Sequence, residues 1–470
     1  MAETDIDIYG GHSQVNPAAT QAIQNNYYGQ PVPIRKTTAA RTVVVLGAGV
    51  DTASGFSAPD SLVPKITEWL ETDEGKAVDA ALRKQLRRLT FNYGKYVDGA
   101  IERLAHDLDR ERETICSRIT QELTQNGSLD DSQRKMGLLI IHLFRKVTGV
   151  KERAVIDEET EELIREVTGI DPTDETIIDF SRVIYTKTFE GIVRHILHTS
   201  LRDAEHPILR HVYTGLLDIG HLLAQHFYGF FTDKSSTVKS YLYIAWTLWA
   251  YLVHEEQQMA AAHENGDAGP VYNQLRGKGQ LQVVTFNYTT LAEAVSPSAV
   301  YFNGNLTDYV DIENKNDLRV DDIHTLDLPR FFQERLASEL SLEGDRIAIP
   351  IPSFLPPLRL KPVITDKYVT VWYRTAEAIA HAERILILGH SLRSGDAFFC
   401  DMLRANRLAE IIVIGHDLET VCKDACVTFQ QPENRYTPIT VQGHPARKYD
   451  NRITVVGADL REFDLAEWLD

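Results

Sequence analysis

The chain is poor in cysteine, in positive charge and in long apolar runs. Only Cys116, Cys400, Cys422 and Cys426 occur among its 470 residues. Cys422 and Cys426 make one CxxxC pair, and no second pair answers it. A closed tetrahedral zinc site needs four ligands, so it would have to recruit the distant Cys116. Sparse, unmatched cysteines fit reduced thiols better than a disulfide framework or a zinc module. Lys and Arg number 49 against 67 Asp and Glu, a formal net charge of −18. Such a chain has no overall field for polyanions, which argues against direct nucleic-acid or membrane-surface binding. The most apolar stretch, "YLYIAWTLWAYLV" at 241–253, is shorter than the roughly 20 residues of a membrane span. It reads as a buried or partner-facing helix. The start "MAETDIDIYGG" lacks a basic stretch leading into an apolar run, so no secretory signal is expected and the location reads as cytoplasmic.

What is present is ordinary globular material, 43% hydrophobic and 25% charged. The length suits one large domain with an insertion, or two to three smaller ones. Residues 1–40 are polar and rich in Gln, Asn and Gly. They read as a flexible N-terminal segment, with strand-like assembly between chains as the alternative. At "RTVVVLGAG" the character changes to a buried-strand pattern. Residues 61–269 then read as mostly helical, with apolar stripes of helical period in "VDAALRKQLRRL" and "SQRKMGLLIIHLFRKV". The histidines of this region are scattered over helix faces. The fragment "HEEQQ" comes closest to HExxH but has Gln258 where the second histidine would stand.

Strand-like runs resume after "HENGDAGP": "LQVVTFN", "AVYFNG", "RIAIPIPSF", "RILILGHS", "EIIVIGHD" and "RITVVGAD". Helical stretches separate several of them. Strands alternating with helices predict a Rossmann-like, doubly wound α/β fold with a mainly parallel sheet. One strand precedes the helical block and the others follow it. The simplest division is therefore 41–60 plus 270–470 as the α/β domain, with 61–269 as a large α-helical insertion after the first strand and glycine loop.

That loop, "VVVLGAGVDTASGF", puts Gly47, Ala48 and Gly49 directly after a strand, with Gly55 further on. Glycines there allow a tight turn and close approach to a phosphate, and a following helix start favours negative charge. The pattern is not a P-loop, since no lysine follows, and Thr52 stands where a third glycine of GxGxxG would be. A strand-ending turn without a ligand is the alternative.

The tetrapeptide "TFNY" occurs twice, around Asn92 and around Asn287. Asn287 ends a predicted strand, at the sheet edge where open α/β folds bind ligands. Asn92 sits between helical stretches and reads as a junction or capping residue.

Several motifs in order resemble the sirtuin-like family. They are "LGAGVDTASGF", "VVTFNYTTL", "IPIPSFLPPLRLKPV" followed by "VWYRTAEAIAHAE", and "RILILGHSLRSGD". The paired-cysteine zinc module of the protein deacylases is missing. The chain more closely resembles bacterial antiphage proteins that combine a sirtuin-like domain with a helical insertion and hydrolyse NAD. The resemblance implies NAD as substrate, no permanently bound cofactor and no metal or zinc. It implies abortive infection by NAD depletion, with a homo-oligomer or a partner defence protein (an ATPase, an Argonaute or a nucleotide pyrophosphatase-like protein) as the switch. It makes Asn287 catalytic. It also puts Asn303, in "AVYFNG", where the family carries a catalytic histidine. Asparagine cannot act as a base near neutral pH. His390 or Asp308 could take the role, the departure of nicotinamide from its cationic, bonded state could need no base, or the site could bind NAD silently as a sensor. Gly47, Ala48, Gly49, Asp51, Thr52, Tyr288, Gly389, Ser391 and Asp396 are the implied ligand contacts, with Asp51 expected to face the ribose or a positive charge.

Overall fold

The computed structural model describes residues 42–469, except 88, 90, 92–107, 147–152, 156–157, 263–266, 279–280, 343–346, 356–364, 393–395 and most of 170–234. The N-terminal segment 1–40 and the Asn92 copy of "TFNY" lie outside the described residues.

The strands in chain order are β1 (Thr42–Leu46), β2 (Arg153–Val155), β3 (Thr176–Asp179), β4 (Ile184–Tyr185), β5 (Leu281–Thr285), β6 (Val300–Tyr301) and β7 (Asp308–Asp311). They continue with β8 (Asn316–Arg319), β9 (Pro350–Pro352), β10 (Arg384–Leu388), β11 (Glu410–Gly415), β12 (Thr437–Val441), β13 (His444–Tyr449) and β14 (Ile453–Gly457). Eight of them form one sheet in the order β12-β13-β14-β11-β10-β1-β5-β6. All neighbours from β14 to β6 run parallel, and β12 and β13 add an antiparallel edge. The fold is α/β with a mainly parallel sheet, as the alternating pattern predicts.

Among the six parallel strands the spatial order reverses at β1. From β1 the chain builds outward through β5 to β6, then returns to β10 and builds the other way through β11 to β14. Right-handed crossovers then put the connecting helices on opposite faces of the two halves. The buried side chains record this directly. Val43 and Val45 share one core with Ile385, Ile387, Ile411 and Val413. Val44 and Leu46 share the other with Leu386, Leu388, Ile412 and Ile414. Both faces are covered, so these strands read as unbroken apolar runs rather than alternating ones.

The chain between β1 and β5 does not stand apart from the sheet. The helix Ser235–Ala262 carries the apolar run 241–253, which is buried throughout. Its Trp246 and Trp249 pack edge to face at 5.3 Å. Their indole N–H groups donate to the carbonyls of Pro350 (3.0 Å) and Leu306 (2.8 Å). The run is therefore a core helix that shares one hydrophobic cluster with a face of the sheet. Among the described residues no helix is long and apolar enough to cross a membrane.

Two features depart from the sequence reading. A small antiparallel sheet, β2-β3-β4, interrupts the region expected to be helical. "RIAIPIPSF" supplies β9, which joins β7 and β8 in a separate antiparallel sheet instead of the main one. Pro350 and Pro352 lack the N–H groups that a central strand must donate, and β9 accordingly sits at an edge.

Candidate functional site

Strand register brings the predicted residues to one sheet edge. Leu46 pairs with Leu388 on one side and with Thr285 on the other. Gly47, Phe286 and Gly389 therefore leave the sheet side by side. Gly47 N–H donates to Leu388 O (2.9 Å) and Gly49 N–H to Gly389 O (3.0 Å). A Cβ on Gly49 would lie 2.8 Å from Gly389 Cα, and one on Gly47 would lie 2.5 Å from Gly389 O. These glycines let two loops of the protein touch each other. The sequence alone does not reveal this use of the glycines.

Behind this contact sits a buried polar cluster. Asp51, in the short helix Ala48–Ala53, is buried. Its Oδ1 accepts from Tyr272 Oη (2.5 Å) and from Asn287 Nδ2 (2.7 Å), and its Oδ2 accepts from Thr289 Oγ1 (2.8 Å). Asn287 Nδ2 also reaches Gly47 O (3.1 Å) and Tyr272 Oη (3.3 Å). Burial pushes the Asp51 carboxyl up to about 6, against the pull of the hydrogen bonds from Tyr272, Thr289 and Asn287. The nearby Glu255 charge pushes it further up. Asp51 thus holds Asn287, a role that the sequence expectation of a group facing the ribose or a positive charge did not include. A carboxylate in a buried wall takes the nearest donors, and here the protein supplies them.

The consequence for Asn287 is directional. Its amide nitrogen faces two strong acceptors, Asp51 Oδ1 and Gly47 O, so the carboxamide cannot flip without setting oxygen against oxygen. Its carboxamide oxygen accepts no hydrogen bond among the described residues. The side chain is fixed with an acceptor left for a ligand.

Asn303 lies two residues beyond the end of the neighbouring strand β6. Phe286 and Phe302, the residues before the two asparagines, stack at 4.7 Å. Asn303 is buried, and its carbonyl accepts from Leu355 N (2.8 Å). Gly304 follows with φ +95°, and a Cβ there would fall 1.5 Å from Ser353 O. The Asn303 turn is thus pressed against the 353–355 segment. Tyr288 braces the same segment. Its hydroxyl donates to Leu355 O (3.2 Å) and its ring lies 4.3 Å from Phe354.

His390 follows Gly389 and packs its ring edge-on against Phe286 at 4.3 Å. Leu392 N–H donates to its Nδ1 (3.0 Å), and its Nε2 lies 3.4 Å from Asp396 Oδ2. Nδ1 therefore acts as an acceptor, and its lone pair is already engaged. Asp308 is also occupied, by an ion pair with Lys367 and by Asn305 Nδ2 (3.0 Å). Thr52 and Ser391 are exposed, and neither joins the cluster.

Tyr272 and Thr289 are the members that sequence reasoning missed. Thr289 stands within the quoted "TFNYTT", two residues after Asn287, and that spacing was its only signal. Tyr272 carried none: it reaches Asp51 from a six-residue helix, Pro270–Leu275, that packs into the same core as Val50. Among the described residues no group of three His, Cys, Asp or Glu side chains could hold a metal ion.

No family model matches the chain, and no curated protein matches it. Solved Sir2 structures overlap it in part. A complex of Sir2 with an inhibitor, 2′-O-acetyl-ADP-ribose and a deacetylated peptide is 17% identical, with a TM-score of 0.23 over 31% of this chain and 59% of that one. A Sir2 homologue complexed with NAD is 16% identical, at 0.28 over 42% and 73%. A mutant Sir2 homologue complexed with ADP-ribose is 17% identical, at 0.29 over 42% and 75%. This chain thus spans 59% of the first of these proteins, and its α/β architecture stands on its own strand order.

Proposed function

We propose that the chain hydrolyses NAD to nicotinamide and ADP-ribose at the Asn287 site. The observation that carries the reading is the fixed Asn287 carboxamide, backed by the buried Asp51 carboxylate. The bond between ribose C1′ and the nicotinamide nitrogen breaks with its electron pair passing to nicotinamide. The ribose becomes an oxocarbenium-like cation, as in other glycosidic cleavages. Water adds to C1′ and gives its proton to solvent. The Asn287 oxygen accepts a hydrogen bond from that water or from a ribose hydroxyl and so positions it. The Asp51 charge, held in a low-dielectric wall, favours the developing cation. A neutral leaving group and a strongly electrophilic carbon remove the need for a strong base. Asn303 and the engaged His390 are then positioning residues. The resemblance to antiphage proteins extends the proposal to NAD depletion during infection, with residues 1–40 and 61–269 serving assembly or a partner protein.

Asn303 and the occupied His390 lone pair support a second reading, a silent NAD sensor within a larger complex. Incubating the full chain with NAD while following both products and heat of binding separates the two. The hydrolase reading expects nicotinamide and ADP-ribose in equal amounts. Binding without product would support the sensor.

A further inference from the structure

The helix Ser235–Ala262 carries two adjacent carboxylates, Glu255 and Glu256, near its end. Neither belongs to the chemistry above. Glu256 is 1% exposed. Its Oε1 and Oε2 accept from Thr290 N–H at 3.1 and 3.2 Å, and Thr290 Oγ1 donates to it as well. His324 Nε2 lies 3.9 Å away on its outer side. Glu255 accepts from Ser57 N–H (2.9 Å), from Ser57 Oγ and from Tyr251 Oη (3.4 Å). One turn of the insertion helix therefore grips both segments that make the site. Glu255 holds the one that follows Asp51, and Glu256 holds the one that follows Asn287.

The two grips meet at the reaction centre. Asn287 and Thr289 both donate to Asp51, while Thr290, the next residue, is tied to Glu256. Four successive residues thus have side chains or amides fixed from opposite sides. A buried carboxylate is costly unless its hydrogen bonds are made. Burial pushes Glu256 up to about 7, against the pull of Thr290, with the Asp51 charge pushing the same way. Glu256 follows a largely apolar, buried run, 241–253, yet it is itself as buried as that run. A retained carboxylate there serves the Thr290 segment.

We propose that Glu256 is a positioning residue for the candidate active centre, fixing the Asn287–Thr290 segment through Thr290 and so coupling the inserted helix to the Asn287 carboxamide. The inference rests on the NAD-hydrolysing reading for its effect on rate, but its structural half does not. Any displacement of the inserted helix along its axis would move Thr290 and tilt Asn287, which gives the insertion a direct handle on the site.

The test uses the full chain carrying Glu256→Ala, Glu256→Gln or Thr290→Val. Glu256→Ala is expected to speed amide hydrogen exchange across 286–291 by about tenfold or more while β1 stays protected. It is expected to lower kcat by about 100-fold with KM changed less than about threefold, since a displacement near 1 Å at a positioning group costs that much. Glu256→Gln keeps an acceptor for Thr290 and should recover kcat to within about tenfold of the native value. Thr290→Val, which loses only the hydroxyl, should fall between them and covers the case in which Glu256→Ala does not fold. Native exchange at 286–291 with native kcat in Glu256→Ala, or in Thr290→Val where Glu256→Ala does not fold, would overturn the proposal, and so would Glu256→Gln as impaired as Glu256→Ala. Faster local exchange in a protein that turns over no NAD even in its native form would uphold the coupling and remove only the hydrolase reading.

Discussion

Replacing Asp51 by Asn should make the protein more stable and far less active at once. The carboxyl is raised from 3.8 to about 6 in the folded chain, chiefly by burial. A shift of that size is about 2 units, or ~3 kcal/mol of preference for the protonated form. Between about pH 4 and 6 the folded state binds a proton that the unfolded state does not, so this group's contribution to stability falls as pH rises through that window. Above about pH 6 the full penalty of ~3 kcal/mol is present. Asparagine removes it. Its oxygen can still accept from Tyr272 and Asn287, and its amide can donate to the Thr289 hydroxyl, so the network stays satisfied. With an unfolding entropy of about 2.1 cal/mol/K per residue, near 1 kcal/mol/K for the 470-residue chain, Asp51→Asn should raise Tm by ~3 °C at about pH 8. The gain should vanish at about pH 4, where the native side chain is already protonated. NAD turnover should fall by about 100-fold, the scale of losing one preorganised electrostatic group. Calorimetric scans at both pH values, paired with product assays, read the effect. A variant less stable than the native chain at about pH 8, or a difference that does not change with pH, would refute the reasoning.

Gly304→Ala should lower Tm sharply, because φ +95° and a Cβ 1.5 Å from Ser353 O leave no room for a methyl group; thermal scans giving a native Tm would contradict this. A chelator such as EDTA should leave the rate of NAD consumption unchanged, since the proposed chemistry uses only side chains and water. Removing residues 1–40 should reduce the mass of the native particle, measured by light scattering, if that segment assembles copies; the same monomer with and without it would end the idea.

The legible part of this molecule was whatever a short run of residues states by itself. β1 and β10 showed themselves because strands buried on both faces carry no polar alternation. The position of Asn287 at the sheet edge was legible because it closely follows such a strand, β5. What stayed hidden depends on partners far along the chain. Asp51 looked like a group facing a ligand, since nothing near it names Tyr272, 221 residues away, as its donor. Glu256 lay in "HEEQQ", readable only as a failed metal motif, because its partner Thr290 arrives from beyond the next strand. The sheet β2-β3-β4 was missed because runs of two to four residues show no period. β9 was legible as a strand from its apolar content, but its separate sheet was not, although its two prolines bar it from a central place. In the loop after β1 the glycine pattern has a second meaning that only packing reveals, the contact between Gly49 and Gly389.

The central claim, that a fixed Asn287 carboxamide drives cleavage of NAD, is tested most directly by product analysis of the native chain beside Asn287→Ala. NAD binding is measured by calorimetry on the same samples. The account predicts nicotinamide and ADP-ribose from the native protein, and intact NAD with binding retained in Asn287→Ala. NAD left intact by the native protein, or consumed equally by both, would contradict it.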